Sequence, residues 1–222
     1  MAVISSIKRR IEYKRLRKLY GKYETLTMIP VNQFVENLSL AGHYSSVAGA
    51  FVECGVWRGG MSAAIIEVLG VQREVHLFDS FEGLPPAQPI DGENAIAWQQ
   101  DKKSPGYYDN CRAEEDFAIK AMQLAKATNF RLHKGWFNQT LPTYDGGNIA
   151  VLRLDGDWYE SIYDSLKYLY PKVVSGGIII LDDYATWDGC TKAVHDYLSE
   201  IKSASHICQW NNQVHYILKR HE

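Results

Sequence analysis

The sequence predicts an α/β protein built on a doubly wound, mostly parallel sheet. Apolar runs of strand length recur at AFVECG (50–55), EVHLFDS (74–80), FRLHKG (130–135), IAVLRLD (149–155) and GGIIILDD (176–183). They are rich in Val, Ile, Leu and Phe and do not alternate cleanly, the pattern of strands covered on both faces. Segments with helical spacing lie between them, so strand and helix alternate along the chain. A third observation concerns the tail, HICQWNNQVHYILKR, where two short apolar stretches flank Asn211-Asn212. That dipeptide is a tight-hairpin signal, and it places an antiparallel hairpin on the end of the sheet.

The helical segments follow in order. MSAAIIEVLG (61–70) is stopped by Gly70. AEEDFAIKAMQLAKA (113–127) carries acids in its first turn and lysines later, as the helix dipole favours. YESIYDSLKYLYP (159–171) sets Ile162, Leu166 and Leu169 on one face and ends at Pro171. DGCTKAVHDYLSEIK (188–202) follows the last apolar run.

Residues 82–112 break this rhythm with Pro85, Pro86, Pro89 and Pro105 and no sustained period. About 30 residues is long for an idle connection, so the segment reads as a lid or binding insert. Trp98, Tyr107 and Tyr108 then stand as contact aromatics, unless they simply pack the insert against itself.

A chain of 222 residues suits one domain spanning 1–222. The net charge of −2 selects no polyanion, so a nucleic-acid partner is not expected. The charge is uneven. Residues 1–22 hold eight Lys or Arg (Lys8, Arg9, Arg10, Lys14, Arg15, Arg17, Lys18, Lys22) against Glu12 alone, leaving −9 on the rest. This basic extension, counted to residue 30, reads as a solvated helix. The sharper reading is a peripheral contact with an anionic membrane surface, a polyanionic substrate or another subunit in a homo-oligomer. Cys54, Cys111, Cys190 and Cys208 form no CxxC pair, and reduced thiols in a cytoplasmic protein are expected. No apolar run is long enough to span a membrane, and the charged N-terminus has no following signal-type apolar region.

In an open α/β sheet, ligands sit beyond the carboxyl ends of the strands. The first strand delivers ECGVWRGG, with Glu53, Gly55, Gly59 and Gly60 leading into a helix. The spacing is not GxGxxG, so a dinucleotide phosphate is not favoured. An acid ahead of a glycine turn fits a cofactor carrying an amine, a carboxylate and a ribose, as S-adenosylmethionine does. The second strand delivers Asp79, suited to ribose hydroxyls or to capping a turn. The third delivers Lys134-Gly135-Trp136-Phe137, an aromatic pair for an adenine face or for the core. The fourth and fifth end in Asp155 and Asp157 and in Asp182 and Asp183. Carboxylates converging on one crevice repel unless something positive neutralises them. A hard cation such as Mg²⁺ does so, and some of these acids serve instead in proton transfer.

Together these stretches resemble the macrocin O-methyltransferase family, whose members include sugar O-methyltransferases of antibiotic tailoring. The resemblance is carried by FVECGVWRGG (51–60), LFDSFEGLP (77–85), KGWFNQTLP (134–142), VLRLDGDWYES (151–161), YPKVVSGGIIILDDY (170–184) and AVHDY (193–197), with a weaker match at TLTMIP (25–30). It implies a Rossmann-like class I methyltransferase fold, S-adenosylmethionine as donor and Mg²⁺ as required metal. It puts Glu53, Gly55, Val56, Trp57, Arg58, Gly59 and Ser62 on the donor loop. Asp79, Ser80 and Phe81 fall at the ribose, and Gly135, Trp136 and Phe137 near the adenine. Asp155, Asp182 and Asp183 fall on metal ligands and Asp157 on the general base, with Asp155 the other candidate for that role. The implied acceptor is a sugar hydroxyl on a glycan, a nucleotide sugar or a glycosylated natural product. A catechol or phenolic acceptor and a non-catalytic methyltransferase-like binding protein are the alternatives.

Overall fold

A computed structural model describes residues 2–220, with side chains from residue 10 onward. Seven strands form one sheet in the order β3-β2-β1-β4-β5-β7-β6. They are β1 (Ala50–Cys54), β2 (Val75–Asp79), β3 (Phe130–Lys134), β4 (Ile149–Leu154), β5 (Val173–Leu181), β6 (Ile207–Trp210) and β7 (Val214–Leu218). The first five run parallel, and β7 is antiparallel to both β5 and β6. The order reverses at β1, so the β1–β4 boundary is the switch point where a crevice opens beyond the strand ends.

The apolar runs become strands because both faces of the sheet are covered. The helices α1 (Ala2–Tyr23), α2 (Val31–His43), α3 (Gly60–Leu69) and α5 (Glu115–Leu124) cover one face, where Phe51, Val151, Ile178 and Ile180 meet Leu38, Ile65 and Ala121. The helices α6 (Tyr159–Leu169) and α7 (Asp188–Glu200) cover the other, where Val52, Leu152, Leu154 and Ile179 meet Ile162, Leu166 and Val194. β5 begins three residues before the apolar run read from sequence, with Gly176 at φ +82° inside it. The tail forms the expected hairpin. Asn211 and Asn212 sit at φ +47° and +57°, the left-handed geometry a tight primed turn needs.

Two regions differ from expectation. The basic N-terminal segment is a docked helix rather than a solvated one. Tyr13, Leu16, Tyr20 and Tyr23 recur at helical spacing and pack on the α2–α3 layer, with Leu16 and Tyr23 buried. Its last basic residue, Lys22, pairs with Glu67 at 2.6 Å. The side chains of Lys8 and Arg9 lie outside the described residues. The insert 82–112 is folded as well. It holds a 3₁₀ turn (Pro89–Asp91), the helix α4 (Glu93–Gln100), a second 3₁₀ turn (Pro105–Tyr107) and a turn in which Tyr108, Asp109, Asn110 and Cys111 are all left-handed. Four such residues in a row are unusual. The turn is held by Leu84 N–H to the Asn110 carbonyl (2.9 Å) and by Asn110 Nδ2 to the Leu84 carbonyl (2.7 Å). Among the described residues no helix is long and apolar enough to cross a membrane. All four cysteines are free.

Candidate active site

A cleft of about 600 Å³ opens beyond the ends of β1, β2 and β4. Its walls include Gly55, Trp57, Asp79, Ser80, Trp136, Phe137, Asp155 and Asp157, all expected from the sequence. Gly55 is required by close approach. It lies at φ +89°, and a Cβ there would sit 1.7 Å from the Asp155 carbonyl oxygen. Only glycine lets the end of β1 pass so near the end of β4. Asp79 anchors the loop from the next strand. One carboxylate oxygen accepts the Val56 and Trp57 N–H groups at 2.7 and 2.9 Å, and the other accepts Phe81 N–H at 2.6 Å. Burial pushes the Asp79 carboxyl up, and those three backbone donors pull it back. Asp79 therefore shapes the glycine turn while facing the cleft.

The remaining donor-loop candidates stand behind this wall. Val56 and Phe81 are core residues whose N–H groups serve Asp79. Gly59, at φ +78°, precedes the first turn of α3, where a Cβ would lie 2.9 Å from Ala118. Arg58 stacks over the Trp57 and Phe117 rings at 4.5 and 4.8 Å and donates to the Thr25 carbonyl. Ser62 is buried and donates to Glu53. Gly135, at φ +142°, bonds back to the Asp79 carbonyl (3.0 Å) and delivers Trp136 and Phe137 to the cleft.

The acids fall into two groups. Arg153, wholly buried in β4, collects one. Its Nη1 lies 2.6 Å from Glu53 and 2.8 Å from Asp155, and its Nη2 lies 2.6 Å from Asp182 Oδ1. The Asp182 contact is a charge contact out of line for a hydrogen bond. Its Nε is 3.4 Å from Asn37 of α2. Burial works against the charge on Arg153, but Asp182, Asp155 and Glu53 outweigh it and hold the guanidinium firmly protonated. Glu53 is pushed up by burial and drawn back by Arg153 and Ser62.

The second group is Asp155, Asp157 and Asp183, each offering an oxygen within 4.8 Å of the others. Here the metal set expected from sequence, Asp155 with Asp182 and Asp183, is regrouped. Asp182 turns to Arg153, and Asp157 joins the cluster in its place. Asp157 has left-handed backbone (φ +56°), its N–H meets Asp183 Oδ2 at 3.2 Å, and its Oδ1 accepts the Trp187 indole N–H at 2.8 Å. Burial raises all three carboxyls. Asp155 and Asp183 rise well above the usual range as neighbouring acids add to it, and Asp157 is raised to about 7. Three oxygens held together against their own charge are a donor set that fits a hard divalent cation.

The sequence reading missed several walls of the cleft. Gly83, Leu84, Pro85 and Cys111 come from the insert, and Met28 comes from the TLTMIP stretch. Arg153 was the larger omission. A single basic residue inside IAVLRLD was its only signal.

The comparisons agree with this fold. The family model for macrocin-O-methyltransferase (TylF) matches residues 26–217. The 8-demethyl-8-(2,3-dimethoxy-alpha-L-rhamnosyl)-tetracenomycin-C 4'-O-methyltransferase of Streptomyces olivaceus is 39% identical over 166 residues, 68% of this chain and 58% of that protein. Demethyldecarbamoylnovobiocin O-methyltransferase of Streptomyces niveus is 36% identical over 177 residues, 73% of this chain and 63% of that protein. The matched part thus spans about three fifths of these relatives' length. Among solved structures, the O-methyltransferase NovP superposes with a TM-score of 0.70 at 32% identity, covering 88% of this chain and 83% of that one. The calicheamicin methyltransferase CalS11, at 20% identity and a TM-score of 0.61, shares the fold. On the breadth of the family match and the identity to these relatives, this chain belongs to the macrocin-O-methyltransferase (TylF) family.

Proposed function

We propose that this chain forms one S-adenosylmethionine- and Mg²⁺-dependent O-methyltransferase domain acting on a sugar hydroxyl of a glycosylated small molecule. One observation carries the reading. Asp155 belongs at once to the wall of the glycine-turn cleft and to the acidic cluster. Asp157 is shared in the same way, so a donor in the cleft and a hydroxyl at the cluster would meet across these two residues. The printed names of the relatives, which include a rhamnosyl-bearing natural product, favour a sugar acceptor.

In this reading Gly55, Trp57 and Asp79 bind the donor's polar end and ribose, and Trp136 and Phe137 flank its base. Asp155 and Asp183 would hold the cation, with Asp157 beside them. A cation held there would supply the Lewis acidity that lowers the pKa of an acceptor hydroxyl. Asp157 would take the proton, with its Oδ1 held by the Trp187 indole N–H. The acceptor oxygen forms its bond to the methyl carbon as the carbon–sulfur bond breaks, leaving S-adenosylhomocysteine. Positioning of the two reactants across Asp155 and Asp157 supplies much of the rate.

The test is calorimetric titration of S-adenosylhomocysteine with and without Mg²⁺, repeated on Asp155→Asn, followed by a methyl-transfer screen over glycosylated natural products, nucleotide sugars and catechols. Donor binding that survives Asp155→Asn, together with Mg²⁺-dependent transfer to a sugar, is the expected result. Absence of donor binding in folded protein removes the methyltransferase reading. Transfer to catechols alone moves the acceptor to a phenol.

A further inference from the structure

The expected general base is held by a group that no role yet covers. We infer that Trp187 is the positioning residue for Asp157, and that Trp98 on the insert sets Trp187, so that the insert fixes the direction of that contact. The inference rests on the reading of Asp157 as the base.

Three tryptophans from three parts of the chain meet beside Asp157. Trp187, just ahead of α7, packs on Trp158 with ring centres 5.3 Å apart at 69°. Trp98, in the middle of α4, packs edge-on against both, at 6.1 Å from Trp158 and 6.0 Å from Trp187. Their indole N–H groups are each committed to a different segment. Trp187 donates to Asp157, Trp158 to the Pro85 carbonyl (2.9 Å) and Trp98 to the Gly106 carbonyl (3.2 Å). An indole N–H taken out of water needs an acceptor, and here the three acceptors lie in three different segments, so the cluster ties those segments together.

A second tie runs parallel to the first. Asp91, buried in the insert, accepts Tyr159 N–H at the start of α6 and Gln88 N–H, both at 2.7 Å. Asp91 thereby caps the helix that begins two residues after Asp157. Gly92 and Gly189 are close-packed at this junction, where a Cβ would meet Asp188 or Asp91 within 2.6 Å. The insert is thus attached to the Asp157 loop through an aromatic contact and a capping carboxylate.

The pairing has a geometric purpose. Asp157 sits in left-handed backbone, a conformation costly for a residue with a side chain. Its carboxylate needs an external partner to keep one oxygen fixed and the other free. Trp187 is that partner, and edge-on aromatic packing fixes the direction of its N–H.

The test reads the indole groups directly. The six tryptophans give six indole N–H signals in a nitrogen-15 correlation spectrum, and Trp187→Phe identifies its own by deletion. That signal should move in Asp157→Asn and in Trp98→Ala, while the remote Trp210 signal stays. An unmoved Trp187 signal in Asp157→Asn removes the positioning contact. An unmoved signal in Trp98→Ala removes the link to the insert. Trp98→Phe serves where Trp98→Ala does not fold.

Turnover with demethyldecarbamoylnovobiocin as acceptor gives the second reading. Trp187→Phe should lower kcat about tenfold with acceptor KM and S-adenosylhomocysteine affinity changed less than twofold, and Trp187→His, which restores a ring N–H, should recover part of the rate. A rise in KM at unchanged kcat overturns the inference. Where the wild-type protein transfers no methyl to this compound, an acceptor found in the screen replaces it, and the indole signals decide the inference independently.

Discussion

Two groups of acids lie side by side at the end of the same sheet, and the chain treats them differently. Glu53, Asp155 and Asp182 surround Arg153, a cation the protein carries itself. Asp155, Asp157 and Asp183 converge at the cleft, and Arg153 reaches only Asp155 among them. The inner group is therefore charge-compensated by folding, and the outer one is left with repulsion that a ligand can relieve. Asp155 belongs to both, so the inner group fixes the outer one in place. Structure and chemistry are separated by one side chain.

The contrast predicts opposite responses to substitution. Arg153→Met leaves buried acids without their partner and should cost about 3–5 kcal/mol, read from urea denaturation. A loss below about 1 kcal/mol would mean that the inner acids go neutral at little cost, and the contrast collapses. Gly55→Ala attacks the junction. Its Cβ would collide with the Asp155 carbonyl, so a loss of about 3 kcal/mol is expected together with loss of S-adenosylhomocysteine binding. Asp183→Asn acts on the outer group and should do the reverse of Arg153→Met. Thermal stability without added metal should rise by about 1 kcal/mol, while stabilisation by added Mn²⁺ disappears. A variant that loses stability and keeps its metal response would assign Asp183 to structure instead.

A histidine that belongs to neither group of acids sharpens the comparison by its smaller effect. His133 on β3 stacks against Phe78 and His76, and burial, then His76, pushes its pKa below the ordinary histidine value. As pH falls, the unfolded chain takes up this proton first. The contribution is therefore complete above about pH 6.5 and is lost as pH drops through that value toward the folded pKa. Melting curves between neutral and mildly acidic pH should fall more steeply for wild type than for His133→Gln. Equal slopes would place the acid sensitivity in another group.

The strands, the hairpin and most cleft residues were legible because each is marked locally. Ile178 to Leu181 running into two acids reads as a buried strand whose tip carries charge. Asn211-Asn212 between apolar stretches reads as a turn. The helices α2 and α4 were less visible. Phe34, Leu38 and Ala41 do have helical spacing, but no strand precedes them to announce a crossover, and α4 is eight residues inside a proline-rich insert. The grouping of the acids was not legible. Whether Asp182 faces Arg153 or the cleft depends on the pairing of β4 with β1 and β5 and on which way each strand end turns, and no local pattern encodes that. The same holds for Trp98, which sequence placed among contact aromatics and which the fold turns inward onto Trp158 and Trp187.

The partnership of Glu53 with Arg153 has a consequence for how the sheet assembles. The two residues stand opposite each other in the β1–β4 pairing, which joins segments about 100 residues apart in the chain. A slip of one residue would turn Arg153 onto the opposite face, against Ile162, Leu166 and Val194. Apolar strands alone would tolerate that mistake, since both their faces are greasy. A lone charge on each strand makes the shifted pairing far less favourable than the correct one, so the pair acts as a proofreader of alignment while the chain is still searching for its fold.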